Sequence, residues 1–346
     1  DLHSFPTRRS SDLNAAVLAV IFAIRLFRRG PGPRVRLRRL LEGVRATSVW
    51  ERVLAGLAAA ELGLLVVIAC LYDTPNNGDS LVYHLARVAH WVQNGSVHHY
   101  PTHYAAQNEL SPLHEWNMAH LHLLAGTDRL DSFVQLLAVV VCVVGASEIA
   151  RLLGGGRRAQ ILAAAFTATI PSLILEATST QNNNFAAATA VGVVVLLLVW
   201  RPSGRFLIVA ALIGGAVAAG VLAKGTLAVF TATTGLVLVT AAVAPQARGV
   251  GVLVIARRVA LAGVVVAGVA LAVAGPFFTR NVQVYGGLTG PTSRTTLSYD
   301  LTPGAATANV IRSVASNFQI GGGTGVQSWI TAFRSEERRV GKECRS

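Results

Sequence analysis

Long apolar stretches recur along this chain, and they constrain its fold more than any other feature. A helix needs about 20 consecutive apolar residues to cross the hydrocarbon core of a bilayer. Seven stretches approach or reach this length, at 52–72, 130–150, 159–177, 184–200, 206–223, 226–244 and 259–278. A shorter one lies at 15–27. Charged residues make up only 14% of the chain, against about 25% in an average soluble domain. The sequence therefore predicts an all-α fold, a polytopic transmembrane helical bundle.

The two ends of the chain can be encoded by the two complementary strands of one DNA segment. The segment RSEERRVGKECRS at 334–346 can be encoded by an oligonucleotide whose opposite strand encodes DLHSFPTRRSSDL at 1–13. We therefore interpret 1–13 and 334–346 as translated sequencing adapter and exclude both from reasoning about the fold. Residues 14–333 are expected to be a truncated transmembrane domain that is inactive by itself.

Arginine is unevenly distributed among the loops that connect the apolar stretches. Four loops are basic, and the number of spans between them places all four on the same side of the membrane. Their arginines are Arg28, Arg29, Arg34, Arg36, Arg38, Arg39, Arg45, Arg52, Arg151, Arg157, Arg158, Arg201, Arg205, Arg248, Arg257 and Arg258. The positive-inside bias makes that side cytoplasmic. Contacts with lipid headgroups then account for the net charge of +13 without a nucleic-acid partner.

The opposite side receives residues 73–129, the longest internal loop, which is rich in polar residues. Outside the excluded ends, every histidine of the chain lies between His84 and His122. Apolar residues at helical spacing predict an interfacial amphipathic helix from Ser80 to Gln93. They are Leu81, Leu85, Val88 and Val92.

Two further features of this loop follow from its sequence. Asp79 and Ser80 stand where the N-cap of the amphipathic helix is expected, after the turn NNG. A second helix is predicted from Ser111 to Leu124. The loop is therefore expected to cover the bundle with short helices.

Five segments of the chain resemble one family. They are DTPNNGDSLVYHLARVAHWVQNGSVHHYPT, LSPLHEWNMAHLHLLAGTDR, STQNNN, LAKGT and FFTRNVQVYGGLTGP. These segments are similar to the bacterial membrane glycosyltransferases of family 39, which belong to the GT-C superfamily with protein O-mannosyltransferases and lipid A aminoarabinose transferases. The resemblance covers nearly all of 52–291, and its first segment is the most specific.

The resemblance implies a hexosyl- or pentosyltransferase that moves a sugar from a polyprenyl-phosphate donor to a lipid, glycan or protein acceptor. It also implies a multi-pass protein of the bacterial cytoplasmic membrane, with the active site on the extracytoplasmic side. The acidic residue that acts at the acceptor in the first external loop of the family corresponds to Asp79. The chain departs from the family pattern at Gly78, where an aromatic residue is common, and at Asn183, where the family has an aspartate.

Inverting glycosyl transfer requires a base for the acceptor hydroxyl and positive charge for the departing phosphate. We assign the base to Asp79, with simple helix capping as the alternative. Glu115 is either a second acid or a surface residue. Lys224 is predicted to contact the donor phosphate or to reach the headgroups, and Arg280 to contact the phosphate or to anchor the interface. The predicted substrate-binding residues are Tyr83, His84, Arg87, His90, Gln181, Asn182, Lys224, Arg280 and Asn281.

The histidines raise the question of a metal. They show no tight ligand motif such as HExxH, so no cofactor is assigned. A divalent metal near Asp79 and His84 is the alternative that stays open.

A lipid-linked saccharide transporter or a non-catalytic membrane scaffold would also place basic residues at the membrane surface. Neither requires an acidic, amphipathic external loop. A transporter should also carry polar residues near the middle of broken helices, whereas most of these stretches are apolar at their centres. The sequence therefore favours the transferase.

Overall fold

The computed structural model of the chain describes residues 48–71, 77–200, 206–243 and 251–290, together with 307 and 310. All regular secondary structure in these ranges is helical. In chain order the helices are α1 (Val49–Leu71), α2 (Leu85–Asn94), α3 (Ala106–Glu109), α4 (Leu113–Ala125), α5 (Phe133–Leu152), α6 (Arg157–Ala168), α7 (Pro171–Ala177), α8 (Asn183–Val199), α9 (Phe206–Ala223), α10 (Leu227–Val243) and α11 (Val252–Tyr285). A π turn (Ser80–His84) leads directly into α2, and a 3-10 turn (Asp128–Leu130) precedes α5.

The described residues of the seven predicted apolar stretches are almost entirely helical, but not every stretch forms a full span. Within the described residues, four helical segments are long and apolar enough to cross a membrane: Val49–Leu71, Asp128–Leu152, Phe206–Ala223 and Val252–Tyr285. Helices α8 and α10 are shorter apolar helices. The prediction of an all-helical membrane protein is therefore confirmed at this level, while the stretch at 15–27 lies outside the described residues.

The stretch predicted at 159–177 is not one straight helix. Helices α6 and α7 meet at an angle of 59°. Pro171 begins α7, and Ile170 before it has an extended backbone with ψ of 117°. A proline disfavours the helical conformation of the preceding residue, and its ring removes a backbone donor. The bent pair has the form of a broken span or of a re-entrant loop, and counting it as one span gives up to five candidate spans in the described residues.

Contacts between helix ends show that α1 runs in the same direction as the pair α6 and α7. The carboxylate of Glu51 at the start of α1 lies 3.4 Å from Arg158 Nε at the start of α6. At the other end, Gln181 Nε2 donates a hydrogen bond to Asn77 Oδ1 at 3.2 Å. We call this second end, which carries residues 77–127, the loop end, and the first the opposite end. Of the predicted cytoplasmic arginines, Arg28–Arg45, Arg201, Arg205 and Arg248 lie outside the described residues.

Helices α9 and α11 pack closely at a glycine. A β-carbon on Gly214 would lie 2.8 Å from the carbonyl oxygen of Val266 and 2.9 Å from the β-carbon of Val269. A β-carbon on the neighbouring Gly215 would meet no atom within 4 Å. Gly214 begins the small-residue segment GGAVAAG at 214–220, and small residues let membrane helices approach each other closely.

Candidate functional site

The loop begins with a helical turn that exposes Asp79. The Asp79 backbone is already helical and its side chain makes no capping hydrogen bond. Asn77 Oδ1 instead accepts a hydrogen bond from the Ser80 backbone N–H at 2.8 Å. The predicted N-cap at Asp79 and Ser80 is therefore wrong, because Asn77 performs the capping. Burial, and then the charge and hydrogen bond of Asp79, raise the pKa of Tyr83 well above its ordinary value.

His84 and Glu115 form a fully buried pair beneath this turn. His84 Nδ1 lies 2.6 Å from Glu115 Oε1. Burial by itself raises the pKa of Glu115, but the Arg87 guanidinium and the His84 hydrogen bond outweigh it and lower that pKa to about 2. Glu115 is thus an ionised carboxylate inside the loop, and the alternative of a surface residue is wrong.

Arg87 holds the loop together from the inside. Its guanidinium is fully buried and donates to four backbone carbonyls, those of Ala106, Gln107, Leu110 and Ser111. Its Nη1 also lies 3.5 Å from Glu115 Oε2. All three guanidinium nitrogens are therefore engaged within the loop. Arg87 was predicted to bind substrate, and in this structure its guanidinium is used by the loop itself.

His114 belongs to the same buried group, and the sequence analysis missed it. Its ring centre lies 5.7 Å from that of His84. It is fully buried, and neither ring nitrogen has a hydrogen-bond partner among the described residues. A buried polar atom left unpaired costs about 1–3 kcal/mol. Burial lowers the pKa of His114 to about 3, with His84 lowering it further and Glu115 opposing. Its position next to Glu115 in LHEW was the available signal.

A second polar group lies at the same end of the bundle. We call it the amide cluster: Asn77, Glu176, Gln181, Asn183 and Lys224. Asn183 Nδ2 donates to Glu176 Oε1 at 2.8 Å and to Gln181 Oε1 at 3.3 Å. Lys224 Nζ donates to Asn183 Oδ1. Lys224 is only partly buried and points into this cluster.

The structure therefore brings together two of the predicted binding residues, Gln181 and Lys224. Asn182 lies beside them, and its Nδ2 donates to the Ala223 carbonyl at 2.9 Å. Asn77, Asn183 and Glu176 were not predicted to bind substrate. Glu176 could have been found from the sequence, because a carboxylate in the apolar run PSLILEA is costly unless it has a partner.

The other predicted binding residues lie elsewhere. Asn281 is fully buried, and its Nδ2 donates to the carbonyls of Glu109 and Leu288 at 2.9 and 3.1 Å. It therefore ties the end of α11 to the loop.

Arg280 is half-buried. The pKa of His99 is lowered to about 4, first by burial and then by the charge of Arg280. His90 is exposed and stacks on the Tyr100 ring, with ring centres 4.2 Å apart.

The arrangement places an exposed carboxylate, Asp79, at the same end of the bundle as a cation, Lys224, that is held by amides. Between α2 and α4 it also buries a group that offers ligand atoms to a metal, namely His84, His114 and Glu115. No family model matches the chain, and no curated protein or solved structure was found to match it. The geometry of these residues is therefore the basis for assigning a function.

Proposed function

We propose that the chain is part of a membrane glycosyltransferase that moves a sugar, with inversion, from a polyprenyl-phosphate donor to an extracytoplasmic acceptor. The observation that carries this proposal is a hydrogen-bonded path that runs from the turn presenting an exposed acid, Asp79, to a cation, Lys224. Asn77 caps the turn that presents Asp79, and it also accepts from Gln181, which bonds to Asn183. Asn183 in turn accepts from Lys224.

Asp79 and the side chains at the far end of this path have separate roles in the proposed reaction. Asp79 removes the proton of the acceptor hydroxyl as the new bond to the anomeric carbon forms. The bond between that carbon and the phosphate oxygen breaks on the opposite face, and the lipid phosphate leaves with the electron pair. Lys224 compensates the negative charge that develops on the phosphate. The amides of Gln181 and Asn183 offer donors and acceptors that suit sugar hydroxyls.

A saccharide transporter fits the described helices less well. Transporters bind substrate near the middle of the membrane, between broken helices. Here the buried positions in the middle of α5, α8 and α9 are apolar, as at Val139, Val193 and Ile213. The polar groups gather instead at the loop end, where a surface enzyme would need them.

The test is sugar transfer in membranes that contain the product of the uninterrupted gene, with radiolabelled polyprenyl-phosphate hexoses and pentoses as donors. We expect Asp79→Asn to lower transfer by roughly 10²–10⁴-fold, the usual contribution of a general base. The helix should be unaffected because Asn77, not Asp79, caps it. Asp128→Asn, which changes another exposed acid at the loop end, is the control and should keep full activity.

Near-normal transfer by Asp79→Asn would show that Asp79 is not the base. Movement of the intact lipid-linked sugar across the membrane, without transfer, would support the transporter instead.

A further inference from the structure

The proposed transfer leaves one buried polar group without a use: His84, His114 and Glu115. All three side chains are fully buried. Each offers one ligand atom, and these atoms lie within 4.8 Å of one another. Both ring nitrogens of His114 are buried without a hydrogen-bond partner among the described residues, whereas buried polar side chains normally have one. The group therefore has the composition and spacing of a ligand set.

We propose that His84, His114 and Glu115 bind a divalent transition-metal ion, for which Zn²⁺ is the best match. Two imidazoles and one carboxylate form a set that zinc accepts, with a water molecule as the fourth ligand. Mg²⁺ and Ca²⁺ prefer oxygen ligands throughout, so they fit this set poorly. The site does not depend on the proposed function, because none of its residues was given a role in the transfer.

The closest pair of ligand atoms requires only a small movement to admit the ion. His84 Nδ1 and Glu115 Oε1 share a hydrogen bond at 2.6 Å. Two ligands on a tetrahedral zinc ion, with bonds of about 2.0–2.2 Å, lie roughly 3.3 Å apart. The two atoms would therefore separate by roughly 0.7 Å, and the metal ion would replace the proton between them.

The positive charge of Arg87 would repel a cation at this position, because Arg87 Nη1 lies 3.5 Å from Glu115 Oε2. Its guanidinium charge is, however, also stabilised by four backbone carbonyls that do not belong to the site. Glu115 can thus turn one oxygen to the metal and keep the other near Arg87. Such partners commonly orient the carboxylate ligand of a metal.

The ligands come from two separate elements, and this indicates what the ion would do. His84 ends the π turn that begins just after Asp79, and His114 and Glu115 lie in the first turn of α4. A bound ion would fasten these elements to each other. We therefore expect metal binding to stabilise the loop as well as to fill the site.

The experiment uses the full chain in detergent, treated with a chelator, dialysed against ZnCl₂ and then freed of loose metal. We expect roughly equimolar Zn²⁺ by elemental analysis and a higher unfolding temperature with Zn²⁺ than with MgCl₂. His114→Gln should lose both effects. His103→Gln changes an exposed histidine of the same loop and should retain both. Equal zinc content in wild type and His114→Gln, or no retained zinc in wild type, would overturn the proposal.

If His114→Gln fails to fold, cobalt substitution of the wild-type chain tests the proposed metal site instead. The wild-type chain loaded with Co²⁺ should show the intense visible absorption of a tetrahedral site with nitrogen and oxygen ligands. The weak spectrum of octahedral Co²⁺ alone would overturn the assignment.

Discussion

The guanidinium of Arg87 organises a large part of the external loop. It stands on α2, and its four carbonyl acceptors lie in α3 and in the residues that lead to α4. Its ζ carbon also lies 5.5 Å from the centre of the Trp91 ring. Three short helices are thereby held around one buried cation, and the ionised Glu115 gives that cation an opposite charge inside the protein.

We expect Arg87→Gln to destabilise the loop by about 3–5 kcal/mol, because it leaves the charge of Glu115 buried without its cation. The measurement is chemical unfolding in detergent, followed by the fluorescence of tryptophan, since Trp91 lies beside Arg87. Adding Glu115→Gln should recover part of the loss, because the uncompensated charge is then absent.

Arg257→Gln is the matched control, since Arg257 is exposed and lies near the start of α11. It should change stability by less than about 0.5 kcal/mol. A loss in Arg87→Gln no larger than in this control would contradict the inward role of Arg87.

For single residues, the sequence indicated which side chains are chemically important better than it indicated which of them are exposed. Asp79 and Glu115 were both identified as acids of interest, yet one is exposed and the other fully buried. His84 and His90 were treated alike, although only His84 faces inward. Exposure depends on how the short helices pack on one another, and the apolar periodicity of residues 80–93 does not determine which polar side chains that packing buries.

The helices themselves were more predictable. The length of an apolar stretch that must cross a bilayer is fixed by the bilayer, and each of the four described helices that are long enough to span coincides with a predicted stretch. Helices α8 and α10, which were predicted as spans, are shorter. The break before Pro171 was not predicted, because membrane helices tolerate proline when neighbouring groups satisfy the freed backbone. Here the Thr167 carbonyl, which loses its helical donor at Pro171, accepts a hydrogen bond from the Ile170 N–H at 3.2 Å.

The contact between α9 and α11 gives a prediction at the scale of these elements. Gly214→Ala should destabilise the protein by about 1–3 kcal/mol, because the added methyl group would meet the Val266 backbone, which cannot rotate away. Gly215→Ala, one residue along the same helix, should be neutral or stabilising by about 0.5–1 kcal/mol, since alanine favours a helix over glycine. Thermal unfolding of both variants in one detergent is the measurement. Equal effects of the two substitutions would show that the helices are not in close contact at Gly214.

Over the whole molecule, the polar chemistry and the basic loops lie at different ends. The amide cluster, Asp79 and the buried histidines are at the loop end, whereas Arg151, Arg157 and Arg158 are at the opposite end, around the turn between α5 and α6. The positive-inside bias predicts that the opposite end faces the cytoplasm.

Cysteine labelling in intact cells tests this orientation. In a background with Cys70→Ala, Cys142→Ala and Cys344→Ala, Gln93→Cys should react with a membrane-impermeant maleimide added outside. Arg157→Cys should react only after the cells are permeabilised. Both positions are exposed, so accessibility within the protein does not distinguish them. The reverse pattern of labelling would place the loop end in the cytoplasm and exclude an extracytoplasmic active site.

The π turn at Ser80–His84 has a consequence for how this loop tolerates insertions and deletions. The Leu85 N–H bonds to the Ser80 carbonyl, five residues back, so the turn holds one residue more than an α turn. Deleting one residue there would give a continuous α-helix, but it would rotate everything before the turn by about 100° relative to α2. Asp79 would then face a different direction while Arg87 and Trp91 kept their packing. Deleting or inserting one residue in the turn would therefore change the direction in which the Asp79 carboxylate points, while the buried packing of the loop stayed the same.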